Sequence, residues 1–465
     1  MNWGLIKLDG LKEECGIFGI YSVDRGLDKT KCSYASYYAL MALQHRGQEA
    51  CGIAVNMDRN LSYHKSLGLV DDTFNEEILD RLVGDMAIGH VRYSADKTPS
   101  SQNAQPLVLN YIKGSLAISH NGNIINADLL RKEYERTGAI YQTTSDTEII
   151  AYTIARERIN SKSIEEAVEL SMHKLKGAYS LVIMSPQKII AARDPWGLKP
   201  LCIGTRGNDI VFASESCAFD AIGAKFLRDV EPGEVVVAYC GKMSSLHYTG
   251  KSSHNLCIFE YIYFARPDSM IENQFVYESR KIAGRILAKE SFVNGDIVIG
   301  VPDSGIPAAI GFSEESNIPY AEGFLKNRYI ARTFIKSTQG QREKAVRLKL
   351  NPLKEYVRGK RVIMIDDSIV RGTTCKHIVN LLREAGAEEV HVKISSPPFI
   401  NPCFYGTDIP SKKDLVANSY TIDETRELIK ADSLAYLSLD NLEKIAPNVK
   451  KSFCKACFNG EYPIL

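Results

Sequence analysis

The chain has 465 residues, 45% of them hydrophobic and 24% charged, with 57 Lys+Arg against 56 Asp+Glu. That composition excludes a wholly disordered chain, a fibrous repeat and a disulfide-dense scaffold, and the length suits two large domains or about three of average size. The flat charge balance and the lack of a long basic tract argue against nucleic acid as a partner.

No run of about 18 apolar residues occurs, so neither a membrane span nor a membrane partner is expected. Residues 1–14 lack the continuous apolar region of a secretory signal, which points to a cytoplasmic location. The eleven cysteines are then expected as reduced thiols.

In chain order, short β-rich runs come first, at 15–21, 86–91, 116–120 and 180–184. Helices are predicted between them over 34–43, 127–135, 146–159 and 164–174, the last with Ile164, Ala167, Val168 and Met172 near a 3.6-residue period. A polar stretch rich in Ser, Gly and Lys at 241–255 reads as a join. Beyond it the pattern becomes strand, Gly- or Asp-containing turn, helix. Strands are predicted at 296–301, 361–365 and 389–394, the last preceded by a helix ending near 384–386. Their continuous apolar character fits a parallel sheet covered on both faces. The expected division is residues 15–250 and 251–465, behind a short leader at 1–14.

Cys15 opens the first strand-like run. Three segments further on bear on it: Gln44-His45-Arg46-Gly47-Gln48-Glu49, Gly89-His90-Val91-Arg92-Tyr93 and His120-Asn121-Gly122-Asn123. With these the sequence resembles the class II glutamine amidotransferases, whose glutaminase domain is an α+β N-terminal nucleophile hydrolase, an αββα sandwich. The resemblance implies removal of residues 1–14, because a free α-amine can take the thiol's proton and an amide nitrogen cannot. It further implies that Cys15 attacks the glutamine carboxamide. The Asn121 amide and the Gly122 N–H would then hold the oxyanion. Arg92 would take glutamine's α-carboxylate, and Asp146 its α-ammonium.

The segment Val362-Ile363-Met364-Ile365-Asp366-Asp367-Ser368-Ile369-Val370-Arg371-Gly372-Thr373-Thr374 has four apolar residues, two acids and a hydroxyl- and Gly-bearing loop ahead of a helix. Acids at the carboxyl end of a buried strand lie where open α/β sheets bind ligands, and N–H groups at a helix N-terminus suit a phosphate. The segment resembles the phosphoribosyl pyrophosphate (PRPP) motif of the α/β type I phosphoribosyltransferases. By that resemblance Asp366 and Asp367 hold the ribose hydroxyls, directly or through Mg²⁺, and Ser368, Arg371, Gly372, Thr373 and Thr374 surround the 5′-phosphate. Ser304, in Val301-Pro302-Asp303-Ser304-Gly305, would face the pyrophosphate near the metal. Lys326 and Arg332 would belong to a loop that closes over PRPP.

The tail carries Cys454-Lys455-Ala456-Cys457. Spacing alone leaves zinc, an iron–sulfur cluster and a redox disulfide open. Cys257 and Cys403 are candidates for two further ligands. The whole chain from Cys15 resembles the glutamine PRPP amidotransferases, one class of which has both a leader and a [4Fe–4S] cluster. The four family-matching cysteines place the cluster on Cys257, Cys403, Cys454 and Cys457. Cys32, Cys51, Cys202, Cys217, Cys240 and Cys375 are read as packing or surface residues.

The activity this implies converts glutamine, PRPP and water into 5-phosphoribosylamine, pyrophosphate and glutamate, the first committed step of purine synthesis. The resemblance also implies AMP, GMP and ADP as feedback inhibitors and a homo-oligomer, a dimer or tetramer. Two rival readings are another class II amidotransferase and a PRPP- or purine-sensing regulator. The segment at 366–374 argues against the first, and the intact set Cys15, Asn121, Gly122, Asp366 and Asp367 against the second.

Overall fold

The computed structural model describes residues 15–23, 31–93, 100–327, 350–407, 409 and 411–464. The leader expected at 1–14 lies outside them. The first half contains two antiparallel sheets. One has seven strands in the order Lys225–Asp229, Cys202–Arg206, Asp209–Ala213, Gly16–Tyr21, Met86–Arg92, Ala50–Met57 and Asn60–Leu67. The other has six, in the order Lys242–His247, Glu234–Tyr239, Ile189–Arg193, Gly177–Met184, Gly114–Ile124 and Leu107–Tyr111.

Why this sequence stacks in layers is visible on the first strand. Ile17 and Tyr21 point into a core shared with Ile88, Val182, Ala191 and Val236, between the two sheets. Phe18 and Ile20 point the other way, into a core with Ala39 and Leu40 of helix Lys31–Ala42. A strand buried on both faces needs apolar residues at every position, which explains its unbroken run. The far face of the six-stranded sheet is covered by helices Asp146–Asn160 and Ile164–Met172 through Ile149, Ile150, Ala167 and Val168. The result is the expected αββα sandwich.

The polar stretch taken as a join is partly structure. Lys242–His247 is an edge strand antiparallel to Glu234–Tyr239, reached through a two-residue turn, Cys240-Gly241, with φ of 49° and 71°. That left-handed pair is the hairpin geometry that matches strand twist. The strand is largely exposed, so its Lys and Ser residues suit an edge facing water and imitate a linker in sequence.

In the second half, Ile297–Gly300, Arg361–Asp366, Glu389–Ile394 and Ser433–Tyr436 form a parallel sheet in that order. Val298, Ile363 and Ile365 face the core beneath helices Val276–Glu290 and Gly305–Ser316. Val362, Met364, Val390 and Val392 face helix Thr373–Glu384. A short parallel pair, Asn255–Cys257 with Ser452–Cys454, brings the tail back to the start of this half. Among the described residues no helix is long and apolar enough to cross a membrane.

The two helices over the parallel sheet pack at backbone distance. A Cβ on Gly284 would lie 1.8 Å from the Ala308 carbonyl oxygen, and one on Gly311 1.9 Å from that of Lys281. Neither carbonyl can yield without parting the helices. Gly284→Ala is therefore expected to destabilise the chain by about 2 kcal/mol, read as an earlier urea-unfolding midpoint. An unchanged midpoint would show that the helix pair is not close-packed in solution.

Candidate active site

Cys15 stands at the start of the first strand, half-buried. Its thiol lies 3.4 Å from the Tyr93 carbonyl oxygen, and the Tyr93 N–H donates to the sulfur at 3.5 Å. Burial pushes the thiol's pKa up, and the Arg92 guanidinium opposes that shift. Arg92 is the last residue of its strand and is buried.

Asp146 is the first residue of its helix, whose N-cap is Ser145 rather than Asp146 itself. Its carboxylate accepts the Ile124 N–H at 2.9 Å and lies 3.6 Å from His120 Nδ1. Burial works to raise its pKa. His120, the Ile124 N–H and Arg92 outweigh burial and hold the carboxyl below its usual range. Cys15, Arg92 and Asp146 thus share one electrostatic neighbourhood, from three elements far apart in sequence.

Asn121 completes this corner. It is buried on Gly114–Ile124, and neither its amide nitrogen nor its amide oxygen has a hydrogen-bond partner. An unsatisfied buried amide costs about 1–3 kcal/mol, and both polar atoms of this one are open to an outside partner. Gly122 follows at φ 143°, and a Cβ there would lie 2.0 Å from the Ala178 carbonyl oxygen. Only glycine fits where the strand bends. His90 is buried, and its Nε2–H donates to the His120 carbonyl oxygen at 3.0 Å. Burial pushes its pKa down to about 3, so its ring is neutral.

The second constellation lies at the carboxyl end of the parallel sheet. Asp366 ends its strand and Asp367 follows, both nine-tenths buried. Asp367 accepts from Ser304 Oγ at 2.6 Å and also from Ser368 Oγ. Burial raises both carboxyl pKa values, and for Asp366 the neighbouring Asp367 charge adds to it. Two desolvated acids side by side call for a cation or for hydroxyl donors. Arg371 and Gly372 close the loop, and Thr373 and Thr374 open helix Thr373–Glu384, whose first turn has no side-chain cap. Lys326 ends strand Phe324–Lys326 and pairs with Asp303 in the turn that carries Ser304. Arg332 lies outside the described residues.

The four cysteines of the proposed ligand set line one small cavity, together with Leu198, Lys199, Phe259, Tyr405 and Tyr462. Cys257 and Cys454 are register partners in the short parallel pair. Cys457 lies on the helical turn Ala456–Asn459, and Cys403 accepts the Tyr405 N–H at 3.3 Å. Burial pushes the Cys454 thiol up to about 12 and raises Cys457 also, with Cys403 adding to both. Among the described residues no three Cys, His, Asp or Glu side chains are close enough to share a single ion.

Sequence reasoning assigned no role to the charged residues between these constellations. Arg46 is fully buried. Its Nε donates to the Cys15 carbonyl at 3.0 Å, Nη1 to Glu215 at 2.6 Å, and Nη1 and Nη2 to the two Glu260 oxygens at 3.0 and 2.8 Å. Glu215 also accepts from His45 at 2.7 Å, Ser269 at 2.6 Å and the Arg266 N–H at 2.9 Å. His45 and Arg46 lie inside a segment that carries the resemblance, but pairing across some 170 to 214 positions leaves no local signal.

Comparison with known proteins agrees with both halves. A glutamine amidotransferase domain model matches residues 90–221 and a phosphoribosyl transferase domain model residues 269–395. The chain is 48% identical to the amidophosphoribosyltransferase of Methanocaldococcus jannaschii, covering 97% of each. It is 47% identical to that of Bacillus subtilis, over 99% of this chain and 96% of the relative. The solved glutamine PRPP amidotransferase of B. subtilis, complexed with ADP and GMP, superposes with a TM-score of 0.90 at 46% identity, over 97% of this chain and 98% of that one. A second solved structure, described as the allosteric regulatory enzyme of purine biosynthesis, gives 0.91.

Burial works to raise the Glu215 pKa, but His45 and Arg46 overcome it and hold the carboxyl well below its usual range. A depressed folded-state pKa adds stability above the unfolded value of about 4.3 and loses it as pH falls further. Glu215→Gln is expected to cost about 3 kcal/mol at neutral pH, with the gap to the parent closing below about pH 4. Denaturant unfolding at two pH values checks both parts, and a pH-independent gap would contradict the ion-pair account.

Proposed function

The chain belongs to the amidophosphoribosyltransferases, and from that premise we propose how its residues divide the reaction. It is a glutamine amidotransferase joined to a pentosyltransferase: nitrogen from glutamine is passed to C1 of PRPP, at the start of purine biosynthesis. The observation that most supports the division of labour is the buried, unpartnered Asn121 amide in the corner shared by Cys15, Arg92 and Asp146.

In the proposed glutaminase step, cleavage between Glu14 and Cys15 frees the α-amine, which takes the thiol proton. The thiolate attacks the carboxamide carbon. The Asn121 amide and the Gly122 N–H receive the oxyanion in a place already dry, so little reorganisation accompanies the charge. Arg92 and Asp146 orient the two ends of glutamine's backbone. Ammonia leaves, and water releases glutamate from the thioester.

In the transferase step Asp366 and Asp367 hold the ribose hydroxyls while the loop from Ser368 through Thr374 takes the 5′-phosphate. Ser304, Asp366 and Asp367 offer the hard oxygen donors that suit Mg²⁺, which when bound would neutralise pyrophosphate charge. Lys326 sits beside Ser304's turn, where it can reach the same pyrophosphate. Arg332 is proposed for the closing loop. Ammonia then displaces pyrophosphate at C1 and gives 5-phosphoribosylamine.

For the cysteine cavity the proposed occupant is a [4Fe–4S] cluster on Cys257, Cys403, Cys454 and Cys457, with a structural role. What supports this reading is that all four thiols line one cavity, together with the resemblance to the class that has both a leader and a cluster; four thiolates by themselves suit zinc as well. We also propose AMP, GMP or ADP as inhibitors, by analogy with the ADP and GMP of the B. subtilis protein, a homodimer or homotetramer, and a cytoplasmic location.

Cys15→Ala is expected to reduce glutamine-dependent pyrophosphate release by about a thousandfold or more while sparing the ammonia-dependent reaction. Equal loss of both would overturn the two-site scheme. Cys457→Ser, purified without oxygen, is expected to lose bound iron and sulfide and to unfold earlier than the parent. A stoichiometric zinc in the parent, found by elemental analysis, would overturn the cluster.

A further inference from the structure

Strand Gly114–Ile124 loses one of its two neighbours partway along. Its ladder with Leu107–Tyr111 ends where Leu107 stands opposite Ile118, whereas its ladder with Gly177–Met184 runs on to Ile124. Pro106 has no N–H to donate, so the shorter ladder stops there. Beyond Ile118 one edge of the strand lacks a neighbouring strand, and this is the stretch that carries Asn121 and Gly122. Backbone groups of an antiparallel strand alternate between its two sides. Tyr179, opposite Gly122, turns its N–H and C=O to Asp194 on its own far side. Positions 120, 122 and 124 therefore turn theirs to the open edge.

Side chains meet that edge. The His120 N–H donates to Gln105 Oε1 at 2.8 Å, the Ile124 N–H donates to Asp146 at 2.9 Å, and the His120 carbonyl accepts from His90 Nε2 at 3.0 Å. The register, continued past Leu107, would set Gln105 opposite His120, so the Gln105 side chain stands in for the missing strand. Gln105 is buried, and its segment is held from behind by Lys65, whose Nζ donates to the Ala104 and Pro106 carbonyls at 2.7 and 3.3 Å. His90 is buried on Met86–Arg92, the strand that ends in Arg92, and is in register with Ile17, two residues beyond Cys15. Its bond to His120 crosses from the sheet of the nucleophile to the sheet of Asn121 and Gly122.

We propose that Gln105 and His90 are positioning residues of the glutaminase step: they fix the His120 peptide groups and thereby aim the Asn121 amide and the Gly122 N–H at the carbon attacked by Cys15. The proposal rests on the reading of the oxyanion corner above and adds what holds that corner in place. Such donors must stand within about 0.5 Å of their productive place to act on the developing charge. A strand edge without a neighbour has no ladder to keep them there, and the two side chains supply what the ladder would. Gln105 fixes the peptide before His120 and His90 the peptide after it, directly ahead of Asn121. His90 also sets the separation of the donors from Cys15, because it is anchored on the sheet that carries the thiol.

The readout is glutaminase kcat and KM on the full chain with Cys15 exposed, in the presence of PRPP and Mg²⁺. Gln105→Met keeps the size of the side chain and removes the acceptor, and His90→Leu removes the donor. Each is expected to lower kcat about tenfold or more. KM for glutamine should stay within about twofold, because Arg92 and Asp146 still hold the ends of the substrate. Ammonia-dependent phosphoribosylamine formation should also stay within about twofold. A glutamine analogue with an aldehyde in place of the carboxamide forms a tetrahedral adduct with the thiol. Its binding should weaken in step with kcat, while glutamate binding stays unchanged. Gln105→Glu keeps an acceptor and His90→Gln a donor, and these should recover most of the rate. A parental kcat in folded Gln105→Met or His90→Leu overturns the proposal. So does a loss carried by KM, an equal loss of the ammonia-dependent reaction, or no recovery in both conservative variants. If one of the first two variants does not fold, the other carries the comparison. A parental kcat in Asn121→Ala overturns instead the reading of the corner itself.

Discussion

Two buried arginines of the first half each grip a carboxylate of the second, and the rest of the molecule is arranged around that constraint. Arg46 holds Glu260, and Arg193 holds Glu272 at 2.7 Å. Removing either charge from water costs several kcal/mol, which is recovered only when donors and acceptors are all matched. Arg193 meets this need with the Lys199, Gly197 and Val230 carbonyls, Arg46 with Cys15 and Glu215. Neither set is complete within one half. Parting the halves would strand two guanidinium groups and two carboxylates in places shaped to exclude water. The junction is thereby held in one register, as one-sided apolar packing would not ensure.

The same junction carries the chemistry. Asn123 donates to the Phe404 carbonyl at 2.9 Å, one strand position beyond Gly122. Gly406 comes within 3.3 Å of Gly122, measured from the site of a Cβ. Both contacts belong to the segment that carries Cys403. The cysteine cavity has Leu198 and Lys199 of the first half in its wall beside the tail. Leu198 also accepts the Cys257 N–H at 3.1 Å. The segment around Phe404 and Gly406 is thus drawn across the Asn121–Gly122 corner, and the group proposed for the cavity would tie that segment, through Cys403, to the tail. That gives four thiolates a purpose without any electron to move.

Much of this was legible in the residues. The acid pair followed by Ser-x-x-Arg-Gly-Thr-Thr names a strand end, a loop and a helix start, all local, and Arg361–Asp366 and Thr373–Glu384 lie where that pattern puts them. The continuous apolar runs at 297–300 and 389–394 likewise announce a sheet covered on both sides. Edge strand Lys242–His247 was missed because exposure, not pattern, sets its composition. Arg46, Glu215, Glu260 and Arg280 were missed for a deeper reason. A charge in a sequence looks solvated, and only the fold shows that Arg46, Glu215 and Glu260 are buried against one another and Arg280 against backbone carbonyls. The His120 contribution to Asp146 is hidden in the same way, since it depends on a strand and a helix start meeting in space.

Both constellations are built from polar groups that the chain itself leaves wanting. The Asn121 amide has no partner, and burial raises the cost of ionising both acids at 366 and 367, the Asp367 charge adding to it at Asp366. Each deficit costs about 1–3 kcal/mol, and ordinary selection for stability would remove it. Each is also flanked by the most regular structure available. Asn121 is in register with Ser180 between two paired neighbours, and Asp366 with Ile394 beside a strand paired on both edges. A strand so held cannot relax to satisfy one side chain without breaking several ladder bonds. The frame therefore keeps the deficit unpaid until substrate arrives, and the unmet hydrogen-bonding capacity becomes binding energy directed at the reacting atoms.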